Sequence, residues 1–211
     1  PDNPSGNFIP LHDLLRLCNW AADKAIRIII DESFVDFSIG TPGNTLLTNN
    51  ILEAHPHLTV VKSISKSYGV PGLRLGILAT SDKRFIAKLK KDVAIWNINS
   101  LGEFYMQIFG KYEKHYQNAC VQFMIERERF MAELSKFPFL RVLPSQANYF
   151  MCEVMPPYTS RGLAELLLEK HDILIKDCSG KKAMGGRKFI RIAVRDTADN
   201  DILVEALNQL N

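Results

Sequence analysis

Leu11, Leu14, Leu15, Cys18, Ala21 and Ala25 recur at helical spacing and predict a helix with one apolar face. The run Ile26-Arg27-Ile28-Ile29-Ile30 that follows is β-branched and stops at Asp31, which predicts a short buried strand. Residues 58–64 and 74–80 predict two more strands, the first ending at Ser65-Lys66. Strands joined by crossovers predict an α/β sheet, and three are few for one. From Asp82 the pattern changes. Residues 83–91 read as a charged amphipathic helix. Residues 103–135, free of proline and carrying Phe104, Ile108, Phe109, Tyr112, Tyr116, Ala119, Phe123, Phe130 and Leu134, read as a long helix bending at Gly110. Beyond Pro138 the pattern predicts strands at 139–143 and 148–154, a helix at 160–170, and strands near 173–176 and 188–195. Thr197 is placed to cap a last helix whose apolar face is Ile202, Leu203, Ala206, Leu207 and Leu210.

Composition narrows the class. Of 211 residues, 46% are hydrophobic and 23% charged, the balance of a folded globular chain rather than a disordered one. Twenty-six basic against 23 acidic side chains leave +3, which gives no electrostatic footprint for nucleic acid; Lys88, Lys90 and Lys91 read as a solvated helix face. No apolar run approaches the ~20 residues that span a bilayer, so no membrane role is expected. Cys18, Cys120, Cys152 and Cys178 are widely spaced, with no C-x-x-C pair, and point to a cytoplasmic protein with free thiols. His55 and His57 flank Pro56 with no carboxylate motif attached, so they read as a loop and no metal site is expected. The opening Pro1-Asp2-Asn3-Pro4 has neither an initiator methionine nor a signal pattern and reads as the interior of a longer chain.

Candidate chemistry sits at strand ends. Asp31 closes the first strand, at the sheet edge where ligands bind in open α/β folds; the simpler reading is a turn cap. Lys66 closes the second strand. A surface lysine is the ordinary reading there, but in a partly desolvated pocket its amine can attack a carbonyl and form a Schiff base. Gly69 and Gly72 free the backbone to turn, so that Ser63, Ser65 and Arg74 can converge on one phosphate.

Together these residues form a known pattern. Ser63-Ile64-Ser65-Lys66-Ser67-Tyr68-Gly69-Val70-Pro71-Gly72-Leu73-Arg74-Leu75-Gly76 resembles the S-x-S-K-x-x-G-x-P-G-L-R-x-G signature of the class I and II aminotransferases, pyridoxal-phosphate enzymes of fold type I. Pro1-Asp2-Asn3-Pro4-Ser5-Gly6 resembles the tail of that family's N-P-x-N-P-[ST]-G motif, and Asp31-Glu32-Ser33-Phe34 its D-E-x-[YF] strand end. Phe189-Ile190-Arg191-Ile192-Ala193-Val194-Arg195 is similar to its substrate-carboxylate strand. The order and spacing fit, and the resemblance covers the whole chain. Within the family it is to the histidinol-phosphate aminotransferase and threonine-phosphate decarboxylase branch, with Asp31 to Phe37, Asp177-Cys178-Ser179 and Arg191 to Arg195 leaning toward the decarboxylases.

The resemblance implies the C-terminal part of a pyridoxal-phosphate-binding large-domain sheet (1–82), connecting helices (83–135) and a small C-terminal α/β domain (136–211). It implies pyridoxal 5'-phosphate as cofactor, amino acid and 2-oxo acid substrates, a homodimer and a fused upstream region. Lys66 would carry the Schiff base and then move the α-proton, and Asp31 would pair with the pyridinium nitrogen. Asn3 would donate to the ring O3′, while Ser63, Ser65 and Arg74 would hold the phosphate. Arg191 would fork onto the substrate carboxylate, a geometry lysine cannot copy, with Asn148 as a second substrate contact. Alternation places Arg191 with Phe189 and Ala193, opposite Ile190, Ile192 and Val194. Phe34 departs from the tyrosine of many members, and loss of that hydroxyl should raise the pKa of the Schiff base. The family's phosphate-binding glycine loop and ring-stacking aromatic belong upstream of Asn3. The expected activity is transamination of an amino acid or amino-acid phosphate. The alternatives are decarboxylation of an amino-acid phosphate, or a catalytically incomplete fragment.

Overall fold

In a computed structural model, residues 1–40, 43–181 and 188–210 are described. They form two compact units: Ile9–Cys120, and Pro1–Phe8 together with Val121–Asn211.

The first unit opens with α1 (Leu11–Asp23), which ends two residues short of Ala25, a residue at φ 54°. β1 (Ile28–Asp31), α2 (Asn49–Ala54), β2 (Leu58–Ser63) and β3 (Gly76–Ala79) follow. The order is β1-β2-β3, parallel across the first pair and antiparallel across the second. One face of this sheet packs Leu58 and Val60 against Cys18 of α1 and Leu46. The other face is open: Ile29 is 69% exposed. The first strand, expected to be buried, has Ile28 and Ile30 half-buried and Ile29 exposed. α2 escapes the periodicity argument because it is short and buries nothing fully; Thr48 starts it by accepting from the Ile51 amide.

α3 (Lys83–Asp92) is capped by Asp82. The expected long helix is divided into α4 (Ser100–Phe109) and α5 (Glu113–Leu134) by a one-turn 3-10 segment, Gly110–Tyr112, at the predicted bend.

The second unit holds β4 (Leu140–Val142), β5 (Tyr149–Val154), α6 (Ser160–His171), β6 (Lys176–Asp177), β7 (Phe189–Ala193) and α7 (Thr197–Asn208). Its sheet runs β4-β5-β7-β6, antiparallel throughout. Phe130 and Leu134 of α5, Phe150, Ile190, Leu163 of α6 and Leu207 of α7 meet in its core. Two expectations fail here. Asp196, not Thr197, caps α7, because its carboxylate accepts from the Asp199 amide while the Thr197 hydroxyl donates to Glu126. Ile202 lies outside the buried face, 54% exposed. Among the described residues no helix is long and apolar enough to cross a membrane.

Candidate active site

The segment after β1 carries three carboxylates with three different tasks. Asp31 lies on the outward face with Ile29. Its Oδ1 accepts from the Ser33 amide at 2.8 Å and the Ser33 hydroxyl at 2.5 Å, so the turn-cap reading of this residue is real. Only one oxygen is spent on that turn. Glu32 points the other way and is buried, accepting from Thr45 Oγ1 and the Leu46 amide, both at 2.6 Å. Asp36, in the 3-10 turn Val35–Phe37, is also buried and accepts from Lys62 Nζ at 2.6 Å and Ser67 Oγ at 2.6 Å.

β2 leads into the turn that bears Lys66. Its alternation sends Leu58, Val60 and Lys62 inward and Thr59, Val61 and Ser63 to the opposite face. The Ser33 hydroxyl ties the two strand ends together by accepting from the Ser63 amide at 2.9 Å. Lys66 is exposed, with Nζ 6.0 Å from the Phe34 ring centre. Ser63, Ser65 and Arg74 line one open cleft of about 470 Å³ with Ser33, Val61 and Leu78. The turn is built differently from the sequence expectation. Gly69 is left-handed at φ 65°, but Gly72 sits in the 3-10 turn Pro71–Leu73 and it is Arg74 that takes the second left-handed position, at φ 57°. A non-glycine residue there costs about 1–2 kcal/mol, and such outliers collect at functional sites. Arg74 Nη1 donates to the Pro71 carbonyl at 3.1 Å, which curls the guanidinium back over the turn.

In the other unit, Arg191 of β7 donates from Nη1 to Asn3 Oδ1 at 2.8 Å and lies 5.0 Å from the centre of the Tyr149 ring. The Tyr149 hydroxyl donates to the Asp2 carbonyl at 2.9 Å. Burial pushes this phenol up to about 12 against the lowering influence of Arg191, so it remains a donor at neutral pH. Asn148 immediately precedes β5, its main-chain oxygen accepting from Val194 and its buried Oδ1 having no hydrogen-bond partner among the described residues. The structure thus brings Asn3 to Arg191, Lys66 to Phe34, and Ser63, Ser65 and Arg74 to one another.

Glu32, Ser33, Asp36 and Lys62 were not singled out from the sequence. One signal was available: a lysine in register with Leu58 and Val60 on a core face demands a buried partner. The H-x-H pair behaves as a loop, with His57 Nε2 at 2.8 Å from the Cys18 carbonyl.

The α/β fold is that of the fold-type-I aminotransferases. The model of the family "Aminotransferase class I and II" matches residues 1–207, and the chain belongs to that family, whose enzymes depend on pyridoxal phosphate. It is 34% identical over its whole length to the CMP-5'-(3-aminopropyl)phosphonate synthase of Streptomyces rubellomurinus, covering 33% of that protein. It is 33% identical over its whole length to the L-serine phosphate decarboxylase of Sulfurospirillum multivorans, covering 54%. The solved histidinol-phosphate aminotransferase from Clostridium acetobutylicum superposes with a TM-score of 0.89 at 29% identity, over all of this chain and 61% of that one. The chain spans about a third to a half of the curated relatives it matches.

Proposed function

We propose that this protein is a pyridoxal-phosphate enzyme acting at the α-carbon of an amino acid or amino-acid phosphate, with a 2-oxo acid as acceptor. The observation that carries it is the open cleft lined by Ser63, Ser65 and Arg74 at the end of the strand that leads to Lys66. The donor set fits the cofactor: two hydroxyls and a guanidinium suit a phosphate monoester, an exposed amine suits a carbonyl, and an exposed carboxylate suits a pyridinium. When bound, pyridoxal phosphate supplies a sink for the negative charge that develops at the substrate α-carbon.

The protein's own groups do the rest. Ser63, Ser65 and Arg74 anchor the phosphate. Lys66 would bind the cofactor's carbonyl carbon and would carry a proton to or from the substrate α-carbon. Asp31 keeps a proton on the ring nitrogen through the oxygen that its turn leaves over. Asn3 would donate its amide to the ring O3′, Phe34 would contribute a ring face without a hydroxyl, Arg191 would orient the substrate carboxylate, and Asn148 would be a second substrate contact.

Transamination is the first reading. Decarboxylation is the second, favoured by the 33% identity to a protein named L-serine phosphate decarboxylase. Borohydride reduction after incubation with pyridoxal phosphate, followed by peptide mapping, is expected to find the cofactor on Lys66. Its absence from Lys66 would refute the assignment. With L-serine phosphate and a 2-oxo acid supplied, an amino acid formed from the oxo acid marks the first reading and carbon dioxide the second.

A further inference from the structure

Lys62 occupies a core position on β2 and needs a counter-charge, which Asp36 supplies at 2.6 Å with the two side chains only 8% and 9% exposed. The second Asp36 oxygen is not idle: it accepts from the hydroxyl of Ser67, the residue after Lys66, at 2.6 Å. The next residue, Tyr68, lays its ring 5.9 Å from the same Lys62 ammonium. That ring stacks on Tyr116 at 4.3 Å and meets the edge of Phe109 at 4.9 Å. Burial, followed by the charge of Asp36, pushes the Tyr68 phenol up to about 12, so it stays neutral. Both residues that follow Lys66 are therefore bound to one buried ion pair.

The rest of the turn offers little restraint. The Gly69 amide reaches the Lys66 carbonyl only at 3.4 Å, and nothing lies within 4 Å of a Cβ built on Gly69. Ahead of Lys66 the Ile64 amide donates to the Leu75 carbonyl at 3.2 Å and the Ser65 amide to Ser63 Oγ at 3.3 Å; beyond it, the backbone is held through Ser67 and Tyr68.

We propose that Asp36, with Lys62 behind it, is a positioning residue that clamps Ser67 and thereby presents the Lys66 amine on the outer face of the turn; this rests on the assignment of Lys66 as the cofactor lysine. Both carboxylate oxygens are used, one toward the strand and one toward the turn, so the turn cannot shift without breaking a charge-assisted bond in the interior. The ion pair thus couples the core face of β2 to a side chain on its solvent side.

The test is the rate and selectivity with which pyridoxal phosphate, trapped by borohydride and read by peptide mapping, labels Lys66 in the intact protein. Ser67→Ala removes one hydroxyl, and it is expected to slow labelling of Lys66 about tenfold, less than the roughly 100-fold that a full 1 Å misplacement can cost. Its circular dichroism spectrum should stay that of the parent, and Ser67→Thr should restore the rate. Asp36→Asn strands the buried Lys62 charge and serves poorly as a folded comparison. The paired Asp36→Asn, Lys62→Met variant avoids that charge and is expected to label as slowly as Ser67→Ala. Lys66 labelled within twofold of the parent rate in folded Ser67→Ala would overturn the clamp alone. A parent protein labelled no faster at Lys66 than at Lys88 would overturn the cofactor assignment beneath it.

Discussion

Glu126 of α5 gathers the end of β7 and the start of α7 into one cluster, and its titration gives a number to test. Its oxygens accept from Arg129 Nε and Nη2, both at 2.8 Å, from Asn200 Nδ2 at 2.7 Å and from Thr197 Oγ1 at 2.9 Å. Arg129 in turn reaches Asp201 at 2.7 Å, and Asn200 exchanges two 3.0 Å bonds with the main chain of Arg195. These bonds, Arg129 foremost, hold the Glu126 carboxyl down at about 2 from its ordinary 4.5. Such a depression is worth at most about 3 kcal/mol. The Arg129 side chain is 36% exposed, so screening reduces it to about 1–2 kcal/mol. The sign follows from the lowered value: the stabilisation is complete above about pH 4.5 and disappears as the pH falls toward 2. Glu126→Gln is expected to lower the unfolding free energy by that amount near pH 7, and the gap should close on acidification. Urea unfolding followed by circular dichroism across that range measures it. A gap of the same size at about pH 3 as at about pH 7 would mean that the amide fails for steric reasons and that the charge is immaterial.

Lys66→Ala should abolish borohydride-fixed cofactor and nearly all turnover, while labelling that continues elsewhere with normal turnover would sink the assignment. Asp31→Asn retains an oxygen for the Ser33 turn but loses the charge. The melting temperature should hold while α-proton exchange slows about 100-fold or more, and a change below about threefold would leave Asp31 a turn cap only. Arg191→Lys should weaken substrate binding by about 1–3 kcal/mol, read in KM, with the resting cofactor spectrum unchanged. Equal KM values would place Arg191 outside the substrate site.

Element type was legible wherever one periodicity ruled a long stretch: α1, α3, α6 and the β5 and β7 strands follow their apolar patterns. What escaped depends on competition between near neighbours. Thr197 and Asp196 are both good caps, and the carboxylate won because Glu126 claims the hydroxyl. Arg74 reads as the start of a strand, yet the 3-10 turn before it forces a left-handed residue at that point. The candidate site residues were found by motif, and motifs name the groups that face the ligand. They give Glu32 no role and omit Asp36 and Lys62, residues whose partners lie 13 to 31 positions away in sequence.

The bond from Arg191 to Asn3 has a consequence for the other end of that amide. A guanidinium can only donate, so it accepts no orientation of Asn3 except the one that offers Oδ1. The NH₂ is thereby committed to the opposite side by the folded protein alone. Rotational freedom that a free asparagine would surrender on meeting a ligand has already been lost during folding, and the donor meets an acceptor in its bound orientation. Aspartate at this position would satisfy Arg191 equally well and turn a second acceptor outward. The site would keep its shape and gain a charge pair but present the wrong polarity to any oxygen it was built to receive.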